Sequence, residues 1–224
     1  MSFGDKKLSE IAVSVPGSTS LLREYDLDFC CGGSDTLANA AAEKGLNLAE
    51  IETRLTELQN SKAENPEEYW VNATYPEIID HILVRYHQRH REQLQELIVL
   101  ADRVESVHGD REDCPIGVAA ELRNVYEDLS NHMMKEEHVL FPMIKAGNYM
   151  MAQMPIRMME MEHAEHGEHL DVLKSLTNNM TPPADACNTW RALYSGIQEF
   201  ADDLMMHIHR ENNILFPRVI AENH

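Results

Sequence analysis

Two segments of the chain repeat one pattern of metal-binding side chains. Glu136 lies four residues after His132, Glu211 lies four residues after His207, and both segments read His-x-x-x-Glu-x-x-x-Leu-Phe-Pro. Four residues advance an α-helix by about 6 Å and slightly more than one turn, so both side chains project from one face. Imidazole and carboxylate groups are ligands of transition metals. The repeat therefore indicates a metal centre built on two helices.

The same four side chains fall on helix faces that we expect to be buried. Apolar residues at alternating steps of three and four accompany them: Leu122, Val125, Leu129, Val139 and Met143 in the first copy, and Leu193, Ile197, Phe200, Leu204 and Ile214 in the second. This spacing predicts a stripe that faces a helical core. A carboxylate buried there without compensation costs several kcal/mol, and a metal ion supplies that compensation.

A weaker repeat supplies two partner helices. His87 and His90 precede Leu94 with the same spacing by which His163 and His166 precede Leu170. The repeat alone does not say which histidine of each pair binds a metal. Six donors suit two metal ions that share both carboxylates, with room for an oxo or hydroxo bridge and an open position: His87, His132, Glu136, His163, His207 and Glu211. Mixed imidazole and carboxylate ligands favour iron, with manganese or zinc as alternatives.

Four long helical patterns must position these residues. They cover about 76–107, 116–146, Pro155 to 178 and 184–221, and Pro and Gly residues mark the turns between them. No strand pattern is convincing, so the sequence predicts an all-α fold with an up-down-up-down four-helix bundle. We expect a small helical domain at 1–60, a polar linker at 61–74 and the bundle at 75–224.

Composition excludes several classes of function. Asp and Glu number 38 against 19 Lys and Arg, and the net charge of −19 disfavours binding to a phosphate backbone. No apolar run reaches the ~18 residues of a membrane span, and the first residues lack the apolar segment of a secretory signal. Four cysteines form no disulfide scaffold, so we expect a cytoplasmic protein without a nucleic-acid or membrane partner.

Other residues carry weaker signals. A methionine run favours adaptable core packing over soft-metal binding: Met150, Met151, Met154, Met158, Met159 and Met161. Six histidines are expected to face solvent: His81, His108, His138, His169, His209 and His224. Asp128 and Asp203 precede His132 and His207 by four residues; they either orient these imidazoles or lie on a solvated flank.

These residues together resemble a hemerythrin-like domain, and the whole chain resembles the Ric family, named for repair of iron centres. The motifs are Tyr25-Asp-Leu-Asp-Phe-Cys30-Cys31-Gly-Gly and the His and Glu segments around His87, His132, His163 and His207. The resemblance implies that His87 and His163, rather than His90 and His166, are ligands. Oxygen-carrying hemerythrins use five histidines; here Gly167 follows His163 at the fourth position, so a reversible oxygen carrier is disfavoured.

The resemblance also implies a function. It predicts a protein with two non-haem irons that repairs iron–sulfur clusters damaged by nitrosative or oxidative stress, through iron donation or handling of nitric oxide. Its partners would be damaged iron–sulfur proteins and nitric oxide. Cys30 and Cys31 would be redox or iron-transfer thiols. The alternative is that they are only two small residues that pack a helix turn. An enzyme that reduces nitric oxide and an oxygen or nitric oxide sensor remain alternatives, and an N-terminal domain on a linker is compatible with a homodimer.

Overall fold

A computed structural model of the chain describes residues 2–61 and 63–222. Within these residues the chain is helical, and extended pairing is limited to one isolated bridge between Lys7 and Thr36. The all-α prediction is therefore confirmed. Among the described residues, no helix combines the length and apolarity that crossing a bilayer requires.

Two compact units divide the chain, and each is described by itself. The first unit comprises Met1–Ile78 and Met206–His224, and the second comprises Ile79–Met205. The division runs through the last long helix, since residues 205 and 206 are consecutive within it. The domain limits predicted from the sequence stay a prediction.

Short helices build the N-terminal part of the first unit. They are α1 Leu8–Ser14, α2 Ser18–Glu24, α3 Leu37–Glu43, α4 Leu48–Asn60 and α5 Pro66–Asn72. Thr36 caps α3 by accepting a hydrogen bond from the Asn39 backbone N–H. Apolar side chains of α1 to α4 are buried together with the loop residue Phe29, and they form a core in this part of the unit.

Four long helical stretches follow, as predicted for the bundle. The first contains α6 Tyr75–Ile82 and α7 Gln88–His108; the second contains α8 Val118–Lys135 and α9 Phe141–Lys145; the third is α10 Tyr149–Leu176; the fourth contains α11 Asn188–Arg210 and α12 Phe216–Ala221. In the second unit α8 packs against both α7 and α10. Buried Leu, Val, Ile and aromatic side chains from these helices form its core.

Three of these stretches contain a π-helical turn. The turns are π1 Leu83–His87, π2 Glu136–Leu140 and π3 Glu211–Leu215. Each is closed by a backbone bond over five residues, as from the Phe141 N–H to the Glu136 carbonyl. Pro142 and Pro217 lie two residues after the ends of π2 and π3, and proline has no N–H with which to continue α-helical bonding. Every π turn begins or ends at a predicted ligand: His87, Glu136 or Glu211.

The second π turn shifts the buried stripe by one residue. An uninterrupted α-helix would bury Val139 and Met143, as the sequence analysis expected. That expectation is wrong: Val139 is 43% exposed and Met143 is half-buried, whereas Leu140 and Ile144 are each 1% exposed. The extra residue in the wide turn rotates everything after Glu136 by about 100°.

The third long helix departs from its prediction in two ways. It begins at Tyr149 rather than at Pro155, because a helix of 28 residues tolerates the one hydrogen bond that an internal proline removes. The methionine run does not pack a core. Only Met159 of the six is buried, and the other five are exposed: Met150, Met151, Met154, Met158 and Met161.

The register change predicts opposite effects for two neighbouring residues. Leu140→Ala should lower the free energy of unfolding by about 3 kcal/mol, because it empties a filled core position. The control Val139→Ala should change it by less than about 0.5 kcal/mol. Urea unfolding measures both effects. A larger effect at Val139 than at Leu140 would contradict the π turn and support an uninterrupted α-helix through this segment.

A buried ion pair stabilises the first unit. The Arg210 guanidinium donates two hydrogen bonds to the Glu67 carboxylate, and the two side chains are only 4% and 6% exposed. Burial acts to raise the pKa of Glu67, but the hydrogen bonds from His209 and Arg210 outweigh it and lower the pKa. Glu67 is therefore held as an anion.

Removing one partner leaves the other charge buried. Glu67→Ala should destabilise the protein by about 3–5 kcal/mol, because it leaves Arg210 uncompensated. The matched control is Glu24→Ala, which breaks the solvent-exposed pair with Arg54 and should have little effect. Chemical denaturation of the variants measures this difference, and equal effects would mean that burial of the Glu67 pair is unimportant.

Candidate metal centre

The centre of the second unit contains a buried carboxylate surrounded by imidazoles. Glu136 is 0% exposed, and its Oε2 atom lies 3.3 Å from His87 Nε2 and 3.4 Å from His132 Nε2. His163 Nε2 lies 3.1 Å from His132 Nε2. Glu136, His132 and His163 each offer a ligand atom within 4.8 Å of the others. Four predicted ligands of this unit therefore lie together.

Two outer carboxylates hold two of these rings from behind. His87 Nδ1 lies 2.8 Å from Glu137 Oε1, and His132 Nδ1 lies 2.9 Å from Glu162 Oε2. The hydrogen bond from His87, helped by Arg91, lowers the pKa of Glu137 to about 2 although partial burial acts in the opposite direction. His132 and Lys135 lower the pKa of Glu162 to about 2 in the same way.

This arrangement directs acceptor atoms toward one point. An ionised carboxylate only accepts hydrogen bonds, so the Nδ1 atoms of His87 and His132 donate to Glu137 and Glu162. In a neutral imidazole the opposite Nε2 atom then presents its lone pair, here toward the Glu136 carboxylate. Acceptors bound to one ion at about 2.1 Å lie about 3.0–3.4 Å apart, which matches the separations found. The donor set therefore fits a metal cation.

The second copy of the motif has the same local geometry. In the first unit His207 Nε2 lies 3.3 Å from Glu211 Oε1, and both residues are buried. The pair stands at the end of α11 and the start of π3, just as His132 and Glu136 stand at the end of α8 and the start of π2. The repeated sequence thus produces a repeated structure.

The two histidines that competed for ligand status are buried in other surroundings. His90 stacks on Tyr86 and meets Phe200 edge-on at 5.3 Å. His166 packs edge-on against His132 at 4.9 Å. Within the second unit, His87 is thus the member of its pair that lies beside Glu136, and His163 is the member whose ligand atom lies within 4.8 Å of that carboxylate.

The interpretation of Asp128 as an imidazole-orienting group is wrong, because His132 Nδ1 contacts Glu162 instead. Asp128 pairs with His169 and Asp203 pairs with Arg85. The orienting groups found here, Glu137 and Glu162, are sequence neighbours of the ligands Glu136 and His163. Adjacency in the sequence was the only signal that pointed to them.

His209 also differs from its prediction. It is 0% exposed, lies 3.5 Å from Glu67 through Nε2, and meets Phe29 edge-on. Burial lowers its pKa, which disfavours a charged ring. Of the other histidines expected at the surface, His138 is exposed, His81, His108 and His169 are half-buried, and His224 lies outside the described residues.

Comparison with known proteins identifies the family. Residues 78–219 match the hemerythrin HHE cation binding domain, and residues 4–59 match ScdA_N, a domain of unknown function. The chain belongs to the hemerythrin HHE family. It is 68% identical to a probable iron-sulfur cluster repair protein of Haemophilus influenzae, over 99% of this chain and 100% of that protein. It is 54% identical to the iron-sulfur cluster repair protein YtfE of Musicola paradisiaca, over 98% of both chains.

The part that matches ScdA_N carries the cysteine pair. Cys30 Sγ and Cys31 Sγ are 3.6 Å apart, and Cys30 is buried while Cys31 is half-buried. The hydrogen bond with Cys31, together with burial and the nearby Asp28 carboxylate, raises the pKa of Cys30 well above its usual value. The two thiols thus lie together without a disulfide, in a loop outside the hemerythrin match.

The outer carboxylates of the hemerythrin domain predict an effect on metal affinity. Glu162→Gln should weaken iron binding about 10–100-fold, because an amide holds His132 Nδ1 less firmly than a carboxylate does. Glu160→Gln on the exposed side of α10 is the matched control and should leave affinity unchanged. Iron retention against a competing chelator measures the effect, and unchanged retention in Glu162→Gln would contradict the orienting role.

Proposed function

We propose that the six residues predicted from the sequence hold two iron ions: His87, His132, Glu136, His163, His207 and Glu211. The proposal is supported by the buried Glu136 carboxylate and the imidazole acceptors directed at it. It is supported further by the second buried His-Glu pair with the same spacing. The family match to a cation-binding domain agrees with both observations. A single tetrahedral metal would leave donors unused.

The side chains around this centre have distinct roles. When bound, the iron pair would supply open positions for nitric oxide and iron that can be released. Glu136 and Glu211 provide the negative charge that binds the cations. Glu137 and Glu162 fix the two imidazoles whose Nδ1 atoms they accept from. Leu140 and Phe141, which follow Glu136 along the chain, are buried, and the Phe141 ring stacks on the His87 imidazole at 5.8 Å.

The function that these features support best is repair of iron–sulfur clusters damaged by nitrosative or oxidative stress, in the cytoplasm. Relatives with 54–68% identity over nearly the whole chain carry iron–sulfur cluster repair in their names. Iron donation and nitric oxide handling are the two routes, with damaged iron–sulfur proteins as partners and nitric oxide as the small ligand. Cys30 and Cys31 are proposed as redox or iron-transfer thiols. The homodimer stays a prediction.

One assay separates these routes. The iron-loaded protein is added, without oxygen, to a [4Fe–4S] dehydratase inactivated by nitric oxide, and recovered activity and nitrous oxide are both measured. Iron donation predicts recovery with loss of iron from this protein. Reduction of nitric oxide predicts nitrous oxide that depends on an added electron donor. No recovery beyond that given by the same amount of free ferrous iron would contradict repair.

The two bridging carboxylates predict a loss of iron. Glu136→Gln and Glu211→Gln should each reduce the iron content from about two per chain to one or fewer, because each removes a negative charge from the proposed ligand set. Glu127→Gln, an exposed position on α8, is the control. Elemental analysis of the purified variants gives the result, and unchanged iron in either ligand variant would remove that residue from the set.

A further inference from the structure

The loop that carries the cysteine pair contains a third candidate metal ligand, the Asp28 carboxylate. Asp28 Oδ1 lies 3.2 Å from Cys30 Sγ, and Cys30 Sγ lies 3.6 Å from Cys31 Sγ. Each of the three residues offers a ligand atom within 4.8 Å of the others. We propose that Asp28, Cys30 and Cys31 form a separate binding site for one thiophilic divalent cation, such as Zn²⁺ or Fe²⁺.

The separations match those of a tetrahedral ion. Two thiolates bound at about 2.3 Å with tetrahedral angles lie about 3.8 Å apart, and a thiolate and a carboxylate oxygen lie about 3.6 Å apart. The Sγ–Sγ separation of 3.6 Å and the Asp28 Oδ1–Cys30 Sγ separation of 3.2 Å need to change by only a few tenths of an ångström to reach these values. Two thiolates with one carboxylate leave a fourth position for water or for a ligand of a receiving protein.

A disulfide fits this loop less well than a metal ion does. Consecutive Cα atoms are about 3.8 Å apart, below the usual range of about 4.4–6.8 Å for bridged cysteines. Closing a bond between Cys30 and Cys31 would therefore distort the backbone. Binding a cation requires no such distortion, and the two thiol protons leave to solvent as the cation binds.

Backbone contacts hold the three ligands in place. The Asp28 carboxylate accepts hydrogen bonds from the backbone N–H groups of Cys30, Cys31 and Gly32, at 2.8–3.0 Å. Asn212 Nδ2 donates to the Cys30 carbonyl at 2.9 Å, which fixes the loop from π3 in the same unit. A Cβ atom on Gly33 would lie 2.5 Å from the Phe29 carbonyl oxygen, so the close turn after the cysteines requires glycine.

The site deepens the proposed thiol role: its use in delivering iron rests on the proposed function, whereas its ability to bind a cation does not. A carboxylate and two thiolates hold a divalent ion with an open fourth position, which suits a site from which a metal is passed on. The ligands differ in type from the imidazoles and carboxylates of the hemerythrin domain, so the two kinds of site can be distinguished by spectroscopy.

The test is a titration of the full, iron-loaded chain with Co²⁺ as the probe, without oxygen. Thiolate-to-cobalt charge-transfer absorption should saturate at about one equivalent and disappear on addition of Zn²⁺. Cys30→Ser and Cys31→Ser should each abolish the band characteristic of two thiolates. Asp28→Asn should weaken binding at least about tenfold. The double variant Cys114→Ser/Cys187→Ser, which removes the other two thiols, should behave as the unaltered protein does.

Iron content and far-ultraviolet circular dichroism of each variant show whether a variant that loses the charge-transfer band still folds and still holds its iron. Normal values with a lost band support the site. No charge-transfer band in the unaltered protein, an unchanged band in Cys30→Ser or Cys31→Ser, or its loss in the Cys114/Cys187 variant would overturn it. If a variant does not fold, the test is made on the unaltered protein, where bound Zn²⁺ should protect Cys31 from an alkylating reagent. Alkylation of Cys31 at the same rate with and without Zn²⁺ overturns the proposal. An iron content of zero with an intact band would contradict the di-iron proposal alone.

Discussion

A carboxylate that is excluded from water must be compensated, and Glu136 imposes this requirement on the centre of the bundle. Its Oε2 atom lies 3.3–3.4 Å from the Nε2 atoms of His87 and His132, whose Nδ1 atoms contact Glu137 and Glu162. Acceptors thus face an acceptor, and a cation among them would supply the compensation. That ion-binding requirement accounts for the positions of His87, His132, Glu137 and Glu162 around Glu136.

The helices place these groups through a departure from regular geometry. A π turn begins at Glu136 and another begins at Glu211, each following a histidine four residues earlier. π-Helical turns frequently occur at functional sites, where an extra residue changes the direction of the side chains that follow. In the first unit the turn that begins at Glu211 also directs Asn212 and Asn213 to the carbonyls of Cys30 and Phe29. One short segment therefore carries a proposed iron ligand and supports the cysteine loop.

Much of this arrangement could be predicted from the sequence, because helical periodicity and the repeated His-x-x-x-Glu motif are local signals. The four long helices and the burial of Glu136 follow from them. The exposure of Val139 could not be predicted, because the spacing rule assumes a uniform α-helix and the π turn at Glu136 rotates the residues that follow. Glu162 and the buried His209 were missed because their roles depend on partners about 30 and 140 residues away.

The central claim is that the bundle holds two irons close enough to share carboxylate ligands. Mössbauer spectroscopy of the protein loaded with ⁵⁷Fe and oxidised tests it most directly. Shared bridging ligands couple the two ferric ions antiferromagnetically, so the account predicts a diamagnetic pair that accounts for nearly all the iron. A spectrum of isolated, magnetically uncoupled high-spin iron would contradict it.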